Sequence, residues 1–317
     1  MRRVALFHGC FVVSAAALVA VAACGDSPAE LSRVGPLDGG SPTRPVDAGP
    51  IVITDAATGD AGGNPADAGG GRDLSPNRAA FFGASRCASS GLKLCEDFET
   101  GTIDTATWTK VGATPMIDGL QHARGQKALH ITVNGNGPSY IRETKTFPAT
   151  NNDYWGRMFV WFESLPAPPG MTYAHWTFAA ATGTEVAGEI RLSGQLQNGK
   201  NLFGVGTDNG AALGTGDWTN SDKDPANAPL AVPTKQWLCI EWLHAGSTNE
   251  TRFFWDAVEH ASLYTSASKH GGNTNPYVLP RFDALWVGWQ EYQTSTEKFE
   301  MWVDEIAVDD QRIGCVL

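Results

Sequence analysis

The sequence predicts an all-β protein, two packed antiparallel sheets forming a β-sandwich or jelly roll, behind a disordered tether. Three observations carry that expectation. Short runs rich in β-branched and aromatic residues alternate with Gly, Asn and Pro turns from residue 81 onward. No segment there holds a helical period over a dozen residues. All 11 tryptophans fall between Trp108 and Trp302, so the largest apolar side chains share that region.

The first 24 residues read as an export signal. Met1-Arg2-Arg3 is a basic start, the run over 4–23 is apolar, and small residues lead into Cys24. Val21-Ala22-Ala23-Cys24 looks like a bacterial lipobox, in which Cys24 becomes the lipidated first residue of the mature chain. A plain signal peptide and an uncleaved span are the alternatives, but His8, Gly9 and Ser14 make this a poor permanent span. The expected address is the bacterial cell envelope, exported and lipid-anchored, at the outer membrane or cell surface, where disulfides persist. Residues 25–80 are rich in Gly, Ala, Asp and Pro, without an apolar period. They cannot bury enough surface to offset the entropy of ordering, and read as a flexible tether. Residues 81–317 are then the working domain.

Within it, strands are expected over 92–99, 128–133, 140–147, 155–163, 174–181, 189–196 and 201–207. An antiparallel pair follows at 237–244 and 251–258, and 286–292 and 299–308 close the chain. The stretch 256–264 is the best helix candidate, yet Trp255-Asp256-Ala257-Val258-Glu259 reads better as a hairpin tip. No repeat at a propeller period is present.

A formal net charge of −11 argues against a nucleic-acid partner, and any anionic substrate needs a local basic cluster. Of six cysteines, Cys10 leaves with the signal and Cys24 is the lipid site. Cys87, Cys95, Cys239 and Cys315 remain, which suggests two disulfides with three possible pairings. Their spacing lacks the paired short intervals of a zinc site. A monomer is expected.

Period two assigns side chains to faces. In Glu189-Ile190-Arg191-Leu192-Ser193-Gly194-Gln195, the odd positions are polar. Trp286, Gly288, Gln290 and Tyr292 share one face of their strand; Tyr173, His175 and Thr177 share another; Trp155, Arg157, Phe159 and Trp161 a third. If these faces coincide they form a groove of aromatics, amides and guanidinium groups, with Arg157, Trp161, Glu189, Asp208 and Gln290 as substrate contacts. Rings stack on sugars while amides and guanidinium groups bind hydroxyls and carboxylates. Each residue also has a plain structural alternative, since Trp buries a large area in cores.

Five segments in order carry a resemblance: Cys95-Glu96-Asp97-Phe98-Glu99, His175 before an aromatic strand, Glu189-Ile190-Arg191 with Gln195, Trp237-Leu238-Cys239-Ile240-Glu241, and Trp302-Val303-Asp304-Glu305-Ile306-Ala307. Together they resemble the fungal cellulose-induced secreted proteins and related glucuronan lyases, over most of 81–317. The resemblance implies a concanavalin-like β-jelly roll, a bound Ca2+, and lyase chemistry on uronic-acid polymers. It implies Arg191 and Gln195 as a cleft pair, Asp208 as a cleft acid and Tyr292 as the cleft tyrosine. Glu189 stands where the family usually has His. Glu96, Glu99 and Asp304 offer hard oxygens for calcium if the first and last strands pair.

β-Elimination removes the C5 proton of a uronate and expels the oxygen on C4. Arg191 and Gln195 would neutralise the adjacent carboxylate, and Tyr292 or His175 would move the protons. A tyrosine near an arginine can have its pKa lowered enough to act as base. A non-catalytic carbohydrate-binding lipoprotein is the alternative. A retaining glycosidase needs paired carboxylates, and no Glu-x-Asp-x-x-Glu run is present; nor is a Gly-x-Ser-x-Gly run.

Overall fold

The structure is a computed structural model. It describes residues 71–317 apart from 113–114, 168–169, 171, 185–187, 209–217, 221–229, 272–275 and 295. The export signal, Cys24 and the tether over 25–70 lie outside the described residues.

Alternating apolar and polar runs pair into strands throughout. They are β1 (Leu94–Glu96), β2 (Trp108–Gly112), β3 (Met116–Asp118), β4 (Ala128–Asn134), β5 (Gly137–Glu143), β6 (Asp153–Phe162), β7 (Tyr173–Thr184) and β8 (Gly188–Gln197). β9 (Lys200–Asp208), β10 (Trp218–Asn220), β11 (Trp237–Ala245), β12 (Glu250–Trp255), β13 (Val258–Glu259), β14 (Arg281–Glu291) and β15 (Lys298–Asp309) complete the set. Among the described residues there is no α-helix.

The first sheet runs β13-β12-β11-β6-β15-β4-β3, with β1 also paired to β15; the second runs β10-β9-β8-β7-β14-β5-β2. The fold is an antiparallel jelly roll, as the alternation implies. The expected pair of β11 and β12 forms, with Ile240 opposite Trp255. β1 and β15 also pair, Cys95 opposite Ala307. Asp256 and Ala257, at φ of 49° and 68°, make the hairpin tip between β12 and β13. The short strands β2, β3, β10 and β13 are not evident in the sequence. β5 ends earlier than expected because Glu143 turns to accept from Thr146 N–H at 2.6 Å.

The core lies between the sheets. Met158, Val160 and Phe162 of β6 face Ile190 and Leu192 of β8, and aromatic rings fill the remaining space. Trp289 of β14 stacks on Trp176 at 5.0 Å and on Phe299 of β15 at 3.4 Å, which ties one sheet to the other. Gly194 has no side chain because a Cβ there would run into the Trp176 ring.

The outer face of the first sheet is covered by chain. Arg124 is fully buried and donates to Phe81 O at 2.6 Å, Cys315 O at 2.6 Å and Glu305 Oε2 at 2.6 Å. Arg157 donates to Leu317 O at 2.6 Å and lies 3.4 Å from the same Glu305 oxygen. Burial, reinforced by the Arg157 charge, lowers Arg124 to about 10, and Glu305 opposes that shift. Glu305 sits in the left-handed region at φ 48°, at the bulge of β15 against β6 between Asp304 and Ala307. A non-glycine residue there is strained, and the strain delivers its carboxylate to two guanidinium groups. Packing also starts before the expected boundary at residue 81. Arg72 donates to Gln311 O and Arg312 O at 3.0 Å, and Arg78 pairs with Asp256.

The two disulfides are Cys87–Cys95 and Cys239–Cys315, separated by 8 and 76 residues. Loop-closure entropy favours the longer one. Replacing Cys239 and Cys315 together by Ala is expected to cost about 2 kcal/mol more than replacing Cys87 and Cys95 together. Urea denaturation of the two double variants measures the difference, and equal losses would contradict it.

Candidate functional site

Register determines what the outer face of the second sheet presents. β8 pairs with β7 on one side and β9 on the other, and β7 pairs with β14. One row runs Gly206, Arg191, Ala180, Trp286, Arg142 across five strands. The next runs Gly204, Ser193, Thr177, Gln290. Gln195 stands beside His175, and Tyr292 N–H donates to His175 O at 3.3 Å. Gly206 and Ala180 leave room on both sides of Arg191. Ile190, Leu192 and Leu196 point into the core instead, so the polar alternation of β8 is obeyed.

Arg191, Tyr292 and His175 form one stack. The Arg191 guanidinium lies 4.7 Å from the Tyr292 ring centroid, and the Tyr292 and His175 rings are 4.3 Å apart at 8°. Arg191 also donates to Glu189 Oε1 at 2.5 Å and Asp208 Oδ2 at 2.8 Å. One guanidinium is thus shared by two carboxylates. The Tyr292 hydroxyl lies 3.3 Å from Thr177 Oγ1. Gln293 accepts from His175 N–H at 2.6 Å through its amide oxygen and donates to Nδ1 at 2.9 Å through its amide nitrogen. That places the neutral imidazole proton on Nε2.

Burial sets the protonation states. It pushes the Tyr292 phenol up to about 12, against the opposing pull of Arg191. The sequence expectation of a lowered tyrosine is therefore corrected: desolvation outweighs the neighbouring charge. Burial, then the Arg191 charge, lowers His175 to about 4, so it is neutral at pH 7.

Arg191, Gln195, Tyr292, His175, Glu189, Asp208 and Gln290 are thus carried by one sheet face. Arg157 and Trp161 are not, and their assignment to the groove is corrected. They belong to β6 in the first sheet, where Arg157 is fully buried against Glu305 and Trp161 lies against Trp237. Period two gives a face but not which sheet the strand joins. Sequence reasoning missed Tyr140, which stacks on Trp286 at 4.5 Å, as well as Arg142 and Gln293. The alternation of Tyr140-Ile141-Arg142 held the signal for the first two.

Glu96, Glu99 and Asp304 do not converge. Glu96 accepts from Phe98 N–H and Trp108 Nε1–H, both at 3.0 Å. Glu99 accepts from Gln126 and Lys127 N–H at 2.8 and 2.9 Å. Asp304 accepts from Ala123 and Arg124 N–H at 2.9 Å and from Glu305 N–H at 2.8 Å. Each carboxylate organises its own backbone turn, so the three do not fit one calcium ion as a set. Among the described residues, the one group of three or more His, Cys, Asp or Glu whose ligand atoms all lie within 4.8 Å of one another is Cys87, Cys95 and Glu305, and its sulfurs form a disulfide.

Fold and site together define an antiparallel jelly roll with a polar, aromatic-lined outer face on one sheet. No family model matches the chain, and no curated protein matches it. Among solved structures it is similar to the cellulose-induced protein Cip1, with a TM-score of 0.54 and 16% identity over 70% of this chain and 99% of that one. That likeness establishes the fold. Looser likenesses include the alginate lyase AlyC3, with a TM-score of 0.41 and 11% identity over 57% of this chain and 74% of that one. The CBM22-1 xylan-binding domain of Paenibacillus barcinonensis Xyn10C gives 0.34 and 14% over 73% and 99%.

The His175 environment is directly measurable. In an NMR titration its ring signals are expected to stay those of neutral imidazole at pH 5.5 and to move near pH 4. A midpoint near the ordinary histidine value, about 6.5, would contradict the buried placement.

Proposed function

We propose that this chain is a polysaccharide lyase that cleaves a uronic-acid-containing polymer by β-elimination on the outer face of its second sheet. In this proposal it is a monomer held at the bacterial cell envelope through lipidated Cys24. The observation that supports the reading is the stack of Arg191, Tyr292 and His175, with Gln195 beside His175 on the same face. In this reading Gln195 and the Nε2–H of His175 pair with the uronate carboxylate, lowering the cost of charge at C5. Tyr292 as phenolate takes the C5 proton. The electron pair of the C5–H bond forms the C4–C5 double bond, and the C4–O bond breaks. The Tyr292 phenol then returns its proton to the leaving oxygen. Arg191, against the tyrosine ring, stabilises the phenolate. No step requires a metal.

Non-catalytic carbohydrate binding is the second reading, and one observation favours it. Arg191 is already shared by Glu189 and Asp208, so a uronate carboxylate approaching it meets two carboxylates. The partly exposed ring of Tyr140, backed by the buried Trp286, then serves as a sugar platform.

The ultraviolet absorbance of unsaturated product, measured with glucuronan, alginate and pectate, separates the two. The lyase reading expects product with at least one uronan, and a loss of at least about 100-fold in Tyr292→Phe. Because the phenol is pushed up to about 12, its basic form grows with pH across the neutral range. The rate is then expected to rise about tenfold per pH unit from roughly pH 7 to 10. No product from any uronan, with polymer retained in pull-down, would favour the binder. A pH-independent rate would remove Tyr292 as base.

A further inference from the structure

We propose a calcium site, distinct from the candidate catalytic face, between the end of β14 and the chain segments 164–166 and 297–299. A cavity of about 370 Å³ lies there, lined by Ser164, Leu165, Pro166, Glu291, Glu297 and Phe299, with Lys298 at its edge. Glu291 points inward on β14, in the row of Trp176 and Gly194, and is 3% exposed. Its Oε1 is buried and has no hydrogen-bond partner. A buried carboxylate oxygen without a partner is costly, and an unseen ion or water is a usual explanation.

The chemistry of the lining selects an ion. Glu297 brings a second carboxylate, anchored where its Oε2 accepts from Ala167 N–H at 3.1 Å. Lys298 Nζ is turned to Glu300 at 3.3 Å, and its side chain is 57% exposed. Calcium takes six to eight hard oxygens in adaptable geometry and tolerates several waters. Two carboxylates with a volume that holds water fit those needs better than the strict octahedron of magnesium. Bound there, the ion would pin the segments after β6 and before β15 to the strand that ends just ahead of Tyr292.

Equilibrium dialysis of the full chain with calcium chloride tests the proposal, alongside Glu291→Gln, Glu297→Gln and Glu99→Gln. Wild type is expected to bind calcium, with one equivalent lost or weakened at least tenfold in each of the first two variants and kept in Glu99→Gln. A calcium-induced rise in melting temperature should shrink in the same two. Glu297 is partly exposed, so its variant reports even if Glu291→Gln fails to fold. No calcium binding by wild type, or binding unchanged in Glu297→Gln, would overturn the site. Glu291 would then be a buried protonated acid.

Discussion

Two buried guanidinium groups around one carboxylate organise this molecule. Arg124 and Arg157 meet at Glu305, and both hold main-chain carbonyls at the C-terminal end of the chain. Both arginines are fully buried, and removing one partner of such a buried charged group typically costs about 3–5 kcal/mol. The arrangement demands that residues around Phe81, Ala123 and Cys315 lie across the first sheet. The Cys239–Cys315 disulfide and Glu241, which accepts from Gly314 N–H at 2.7 Å, fasten the same cover. With that face closed, the second sheet carries the remaining outward chemistry.

What the second sheet presents follows from small residues and register. Gly204 and Gly206 on β9 and Ala180 on β7 keep the rows low around Ser193 and Arg191. The bulge in β7 between Thr177 and Ala179 keeps Trp176 and Phe178 in the core while His175 and Thr177 face out. The electrostatics are less simple than residue types suggest. Arginine beside tyrosine would favour phenolate in water, but the pair is half-buried and desolvation dominates.

Much of this fold was legible in the sequence because its long strands alternate cleanly. β6, β7, β8, β11, β14 and β15 carry enough aromatic and β-branched residues to declare themselves, and β8 also declared its polar face. Strands of two to five residues at sheet margins, such as β3 and β13, carry too few alternations to read. Side-chain pattern also fails to say which sheet a strand joins. Arg157 and Trp161 alternate just as Arg191 does, yet β6 lies in the first sheet, where a guanidinium became part of the interior. The acids Glu96, Glu99 and Asp304 look alike as ligands in sequence. In space each serves its own turn, because backbone N–H groups compete for the same oxygens. Glu291 gave no sequence signal, since an inward acid at a strand end is visible only once the register is known.

The position of β15 carries a consequence for how the protein comes into being. It lies between β6 and β4 and also pairs with β1, so the first sheet has a gap at its centre until residues 298–309 are available. A chain emerging from its N-terminal end cannot close this sheet early; its central seam is assembled last and over long sequence separations. Until that seam forms, the strand edges of β4 and β6 lack their partner and are exposed to proteolysis and mispairing.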